Sequence, residues 1–205
     1  MSPSEVLVEL IPEMLSAKGK AALKMYGSSM SPLLAEGRVV EVVPFTGQKI
    51  RAGDIVCFKS KSQLTAHRVV KLLPPGPSGE NFFLTKGDNV RTFDLPLSSQ
   101  QILGKVAAIE KRSITTPFWR IANALIAKAS YLEGAFPEFK AKNSWWRALQ
   151  PWKRKFGIKY SFDFLSPLLI RLLRLLKSVL NHYVLKTVAG KVPVKGIASQ
   201  QDCAS

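Results

Sequence analysis

Three serines surround a methionine in the stretch MYGSSMSPLL, residues 25–34, which ends in proline and leucine. A serine hydroxyl becomes a nucleophile when a base within hydrogen-bond reach removes its proton, and acyl chemistry also needs donors for the oxyanion. The alternative is a polar turn, in which Ser28 and Ser31 cap a short helix that Pro32 begins. The stretch therefore indicates either a nucleophile or a helix start.

A serine nucleophile needs a base, and the sequence contains two histidines, His67 in LTAHRVV and His182 in LNHYV. His67 lies on a predicted strand of the same region as the serines. Strand alternation alone also allows a half-exposed histidine at this position that has no chemical role. The residue types therefore permit a Ser/His pair without requiring one.

The chain of 205 residues is strongly basic, with 30 Lys and Arg against 14 Asp and Glu and a formal net charge of +16. Such a balance favours a polyanionic partner, either nucleic acid or an anionic membrane surface. The sequence contains no finger, homeodomain or RNA-binding aromatic box, so nucleic acid is the less favoured partner. Two cysteines, Cys57 and Cys203, are too few for a disulfide framework or a metal cluster, and we expect neither metal nor cofactor.

Hydrophobic periodicity divides the chain into a helix, a β region and a helical region. Apolar residues within 5–17 recur at spacings near three and four, which predicts an amphipathic helix. From Ala22 the pattern changes to short runs rich in Val, Ile, Phe and Leu, separated by Gly, Pro, Asp or Ser, which predicts strands. LPPGPSGEN, residues 73–81, predicts an exposed loop. After Ser113 helical periodicity returns, with Pro117 suited to a first turn.

The predicted fold is a mostly β domain with a short N-terminal helix and a basic, helical C-terminal extension. The predicted boundaries are 1–20 for the N-terminal helix, 21–112 for the β domain, 113–190 for the helical extension and 191–205 for a flexible tail.

The helical extension carries a stripe of positive charge. In SPLLIRLLRLLKSVL, Arg171, Arg174 and Lys177 recur every third residue among leucines. A helix with a wide apolar face and a cationic stripe is typical of an interfacial membrane helix. Tryptophan favours the same location, and all four tryptophans of the chain lie after Lys111. An ordinary helix that covers the β domain explains the pattern equally well. The opening residues predict neither a secretory signal nor a spanning helix, so we expect a peripheral membrane or a cytoplasmic protein.

Three separated segments together resemble type I signal peptidases. GSSMSPLL is similar to the family's Ser-Met-x-Pro box, with Ser29 at the nucleophile position. GDIVCFKS followed by TAHRVV resembles the family's next two strands, and LTKGDNVRTFD resembles its Gly-Asp-Asn box. The order and approximate spacing also agree, over roughly residues 22–110. A histidine at position 67, where typical bacterial members have lysine, is characteristic of the endoplasmic-reticulum and archaeal type.

This resemblance implies a signal-peptidase-like or SOS-repressor-protease-like β fold and a serine endopeptidase that removes a leader or signal segment from a precursor peptide. It implies Ser29 as nucleophile and His67 as general base, oriented by Asp94 or by Asp88. For Asp88, a turn residue in KGDN is an equal alternative; for Asp94, the alternative is a loop carboxylate.

Further expectations concern the groups beside the nucleophile. The resemblance implies the Ser29 N–H as an oxyanion donor, and it leaves Ser28 or another backbone group as the second donor, because Gly27 stands where some members have serine. Met30 is expected to form an apolar wall for an extended peptide, although it suits a core equally well.

Two rival interpretations remain. A self-cleaving repressor of the same fold would use a Ser/Lys pair and a helix-turn-helix, and neither is evident. A catalytically inactive relative could act instead as a membrane-binding or nucleic-acid-binding protein.

Overall fold

The runs rich in β-branched and aromatic residues form the strands of one sheet. The computed structural model describes residues 3–45, 49–60, 63–142 and 162–189. The helices are α1 (Pro3–Lys18), α2 (Pro117–Lys142) and α3 (Phe162–Ala189). The strands are β1 (Ala21–Lys24), β2 (Val39–Pro44), β3 (Ile55–Ser60), β4 (Gln63–Leu73), β5 (Phe82–Lys86), β6 (Leu97–Ser98), β7 (Ile102–Ile109) and β8 (Arg112–Ser113). The predicted order of helix, β region and helices is confirmed.

Every strand pair in the sheet is antiparallel. The strand order is β1-β2-β7-β3-β4-β5-β6, and β8 pairs with β7. The two-residue strands β6 and β8 were not predicted, because two residues are too few to show alternation. In this order β4 is an interior strand that lies between β3 and β5.

Both sides of the sheet are covered by apolar side chains. One core joins α1, α2 and the C-terminal half of α3 to the sheet through residues that include Ile11, Leu15, Val42, Val106, Trp119 and Val184. The other core includes Val56, Phe58, Val69, Phe83 and Ile102. Because successive side chains of a strand point to opposite faces, β3 and β4 contribute to both cores. The centre of β4 is consequently buried from Ala66 to Val70.

The helical region begins where the sequence predicts, with α2 starting at Pro117. Trp119 is buried in the core that α1 also joins, whereas Trp145, Trp146 and Trp152 lie outside the described residues, as do the predicted tail at 191–205 and Cys203. In the part of the chain that the structure describes, no helix combines the length and apolar character needed to cross a membrane.

The cationic stripe of α3 faces the protein at two of its three positions. Arg174 Nε donates to Glu133 Oε1 over 2.6 Å, and Lys177 Nζ donates to Glu133 Oε2 over 2.7 Å. Lys86 Nζ from β5 donates to the same Oε2 atom over 3.2 Å. The expectation of a stripe that reaches lipid headgroups therefore needs correction at Arg174 and Lys177, because a buried carboxylate on α2 attracts both side chains.

Three cations around one carboxylate change the protonation of the cluster. Burial alone would raise the pKa of Glu133, but hydrogen bonds from Lys177 and Arg174 and the charge of Lys86 outweigh it and lower the pKa from 4.5 to about 2. Burial, reinforced by the charge of Lys177, lowers the pKa of Lys86 although Glu133 opposes that shift. Glu133 is thus the group that neutralises this part of the interior.

We predict that Glu133→Gln lowers the free energy of unfolding by about 3–5 kcal/mol at neutral pH, because it leaves buried cations without their counter-charge. Chemical denaturation with Glu36→Gln as a surface control measures the effect.

Since the folded pKa of Glu133 is depressed, its contribution to the free energy of unfolding is complete above pH 4.5 and is lost as the pH falls towards 2. The parent protein should therefore lose more stability across that interval than Glu133→Gln does, and equal losses would contradict the assignment.

Candidate active site

Ser29 lies in a turn that follows β1. Gly27 has a φ of 82°, a left-handed conformation that glycine adopts without strain. Residues 29–34 form successive turns closed by a bond from the Leu34 N–H to the Met30 carbonyl at 3.0 Å. The alternative of a short helix beginning at Pro32 is therefore wrong, since these residues form turns and no regular helix. Ser29 itself is half-buried.

His67 lies in the buried centre of β4, opposite Val56 of β3. Its ring packs edge-on against Phe58, with 6.0 Å between ring centroids. The His67 Nε2 atom lies 3.1 Å from Ser29 Oγ. The strand thus holds the imidazole rigidly beside the serine hydroxyl, within the range expected of a nucleophile and its base.

Asp94 completes a chain of hydrogen bonds from the other ring nitrogen. Asp94 Oδ2 lies 2.6 Å from His67 Nδ1 and accepts a second bond from Thr85 Oγ1 at 2.7 Å. The Asp94 N–H also donates to the Thr85 carbonyl over 3.0 Å. A carboxylate that accepts the Nδ1 proton selects the tautomer whose Nε2 lone pair faces the serine hydroxyl. Residue patterns did not identify Thr85, a β-strand threonine that no motif singles out.

Asp88 does not contact His67, because it pairs with the neighbouring Arg68. Arg68 Nε and Nη2 donate to the two carboxylate oxygens of Asp88 at 2.9 and 2.7 Å. Strand alternation directs the side chains of His67 and Arg68 to opposite faces of β4. Of the two aspartates that the sequence left open, Asp94 is therefore the one that lies next to the imidazole. Asp88 is the counter-charge of a fully buried guanidinium.

The Gly87–Asn89 turn holds the Ser29 turn in place. The Asn89 N–H donates to the Ser29 carbonyl over 2.8 Å, and Asn89 Nδ2 donates to the Ser28 carbonyl over 3.2 Å. A Cβ atom at Gly87 would lie 2.7 Å from the Ser29 carbonyl oxygen and 3.1 Å from His67 Nε2. Only glycine allows this close approach of the two turns.

Helix α2 supports the loops that carry the site. Asn123 Oδ1 accepts a bond from Arg68 Nη1 at 2.6 Å. A Cβ atom at Gly134 would clash with the Phe93 ring, and the Phe93 and Tyr131 rings lie 5.9 Å apart. Because Phe93 precedes Asp94, the helix fixes the segment that brings the carboxylate to His67.

The two other candidate residues beside the nucleophile have different environments. Ser28 is exposed, so its hydroxyl is free to face a ligand at the mouth of the site. Met30 is 2 % exposed, and its Sδ atom accepts the Asp88 N–H at 3.4 Å. The expectation that Met30 forms a substrate wall is corrected, because its side chain lies in the core.

Cysteine chemistry and a histidine–carboxylate metal cluster have little support among the described residues. Burial raises the pKa of Cys57 to about 12, so its thiol stays protonated. Within the described ranges, no three His, Cys, Asp or Glu side chains lie close enough to hold a metal ion.

Comparison of the chain with protein-family models and with curated proteins found no match. The assignment of chemistry to this site therefore depends on its geometry.

The two aspartates predict a contrast between stability and reactivity. Asp88→Asn should lower the free energy of unfolding by about 3–5 kcal/mol, because it removes the counter-charge of buried Arg68. Asp94→Asn should leave the denaturation midpoint nearly unchanged, since Asp94 is partly exposed. It should slow labelling of Ser29 by a fluorophosphonate by roughly 10³- to 10⁴-fold, because an asparagine favours the wrong imidazole tautomer. Equal labelling rates in the parent and Asp94→Asn would contradict the orienting role.

Proposed function

We propose that the protein is a serine endopeptidase in which Ser29 is the nucleophile, His67 the general base and Asp94 the residue that orients the imidazole. The observation that carries the proposal is the continuous hydrogen-bonded chain from Ser29 Oγ through both ring nitrogens of His67 to Asp94. A serine, a base and an orienting carboxylate in this order define the triad by geometry and not by chain position.

The reaction begins when Ser29 Oγ attacks a peptide carbonyl and His67 Nε2 accepts the hydroxyl proton. The tetrahedral intermediate collapses when His67 gives that proton to the departing amine, which leaves an acyl-enzyme on Ser29. A water molecule, deprotonated by His67, then attacks the ester, releases the new carboxyl terminus and restores the serine hydroxyl. The Ser29 N–H is the oxyanion donor in this scheme, with the exposed Ser28 hydroxyl as the candidate second donor.

Asp94 and Thr85 stabilise the imidazolium that forms in both steps. The carboxylate carries the opposite charge at 2.6 Å from Nδ1, and Thr85 Oγ1 fixes the acceptor oxygen. Because Thr85 is fully buried, its hydroxyl acts where water does not compete with the hydrogen bond. The imidazole is therefore oriented through its Nδ1 atom before substrate arrives.

The proposed substrate is a precursor peptide or protein from which a leader or signal segment is cut. The support for this substrate is the ordered resemblance of the Ser29, His67 and Gly87–Asn89 segments to type I signal peptidases of the Ser/His type. The structure is compatible with that resemblance, because these three segments, far apart in the chain, lie next to one another. The mostly antiparallel β architecture is likewise compatible with the signal-peptidase fold that we propose.

We expect Ser29→Ala to abolish peptide cleavage, with a loss of several orders of magnitude, because the substitution removes the attacking oxygen. Mass spectrometry of a degenerate peptide library incubated with each variant identifies the products. Ser31→Ala is the matched control, and it should cleave at the parent rate. Cleavage by Ser29→Ala at the parent rate would rule out the serine mechanism.

Thr85→Val should lower kcat/KM by about tenfold or more, because Asp94 loses a charge-assisted hydrogen bond. Thr85→Ser retains the donor and should recover most of the activity. Kinetics on a peptide found in the library, together with thermal denaturation, separates positioning from unfolding. If Thr85→Ser loses as much activity as Thr85→Val, retaining the hydroxyl does not rescue the enzyme, and the hydrogen bond to Asp94 is not the contribution of Thr85 to catalysis.

A further inference from the structure

Helices α2 and α3 expose apolar side chains along one side of each helix. On α3 these side chains include Leu172, Leu175, Leu176, Val179 and Tyr183, all more than half exposed. On α2 they include Phe118, Ile121 and Leu125. The Phe118 and Tyr183 rings lie 6.0 Å apart and join the two stripes. We call this surface of eight residues the apolar face.

The apolar face of α3 points away from the rest of the protein. At 100° per residue, its midpoint lies about 150° around the helix from the buried residues Lys177, Asn181 and Val184. Lys177 binds Glu133 and Val184 lies in the core, so α3 turns this side towards the protein. An amphipathic helix usually buries its apolar stripe, and a contiguous exposed apolar patch is a mark of an interaction site.

A cationic pocket borders the apolar face. It has a volume of about 740 Å³ and lies between strands β3 and β7 and the start of α2. Its lining includes the cations Lys49, Arg51, Lys105 and Arg120 and the carboxylate Asp54. Lys105 forms an ion pair with Asp54 at 2.9 Å. The other cations of the lining are Lys49, Arg51 and Arg120.

One side chain belongs to both features. Ile121 lines the pocket and is 65 % exposed on the apolar face. Positive charge and apolar surface are therefore continuous, and a ligand that covers both must carry an anionic group next to a hydrocarbon region.

We propose that the apolar face docks on a lipid bilayer and that the pocket takes an anionic lipid headgroup. Leucine side chains on α2 and α3 enter the acyl boundary, while Arg51 and Arg120 contact the headgroup layer. Pairing of two copies through this face is opposed by the net charge of +16 on each chain. Nucleic acid would satisfy the cations but would leave the leucines in water.

Vesicle flotation of the full chain tests the proposal. The parent should float with vesicles of phosphatidylcholine and phosphatidylglycerol, and it should bind pure phosphatidylcholine much more weakly. Leu172→Gln/Leu176→Gln should weaken binding more than tenfold, because two apolar side chains no longer enter the bilayer. Leu175→Gln/Val179→Ser repeats that test at neighbouring exposed positions, should the first variant fold poorly.

The pocket has its own variant and a matched charge control. Arg51→Gln/Arg120→Gln should weaken binding to the anionic vesicles by about 30-fold, at roughly 1 kcal/mol for each basic residue. Lys18→Gln/Lys24→Gln removes the same charge outside α2, α3 and the pocket lining, and it should retain most of the affinity. Ser29→Ala should bind like the parent, which keeps this test independent of the proposed peptidase.

Four results would overturn the proposal. The first is a parent protein that stays in the vesicle-free fraction. The second is an equal loss in the Lys18/Lys24 control, which would indicate diffuse electrostatic attraction. An unaffected Arg51/Arg120 variant would remove the headgroup assignment. A concentration-dependent dimer in sedimentation, abolished by Leu172→Gln/Leu176→Gln, would make the face an interface between copies.

Discussion

The buried guanidinium of Arg68 is the interaction on which the candidate site depends. It is fully buried and has four hydrogen bonds, two to Asp88, one to the Gly53 carbonyl and one to Asn123. A buried charge is stable only when its hydrogen-bonding capacity is met, so strand β4, the turn after β5 and helix α2 must meet at one point. The geometry of that meeting point sets where the Gly87–Asn89 turn lies, and this turn holds Ser29.

A second buried charge repeats the same principle further along α2. Lys86 lies one residue before Gly87 and contacts Glu133, which also binds Arg174 and Lys177 of α3. The site segment is therefore connected through ion pairs to α2 directly and to α3 indirectly. The helical extension is part of the framework of the site, although the sequence placed the two in separate ranges.

The sequence predicts the elements more successfully than their contacts. Short runs rich in Val, Ile, Phe and Leu identify the six longer strands, and helical periodicity with Pro117 identifies the start of α2. The sequence also contains a sign that two carboxylates are needed, since a charged Arg68 amid the apolar residues of β4 requires a buried acid of its own. Alternation sends Arg68 and His67 to opposite faces, so one aspartate is expected for each, but which aspartate pairs with which follows only from the folded contacts. Thr85 carries no such signal, because its role arises only when the segment containing Asp94 folds back onto β5.

The stripe on α3 shows why periodicity alone does not orient a helix. Arg171, Arg174 and Lys177 fall on one side at any rotation of the helix, but the spacing does not say whether that side faces solvent or the protein. The direction is decided by a distant residue, Glu133 on α2, whose buried carboxylate needs counter-charges. Because those cations turn inward, the leucines on the other side are left in contact with solvent. The exposed apolar face is thus a consequence of the buried ion pairs that also support the site, and a helix driven only by apolar burial would have the opposite orientation.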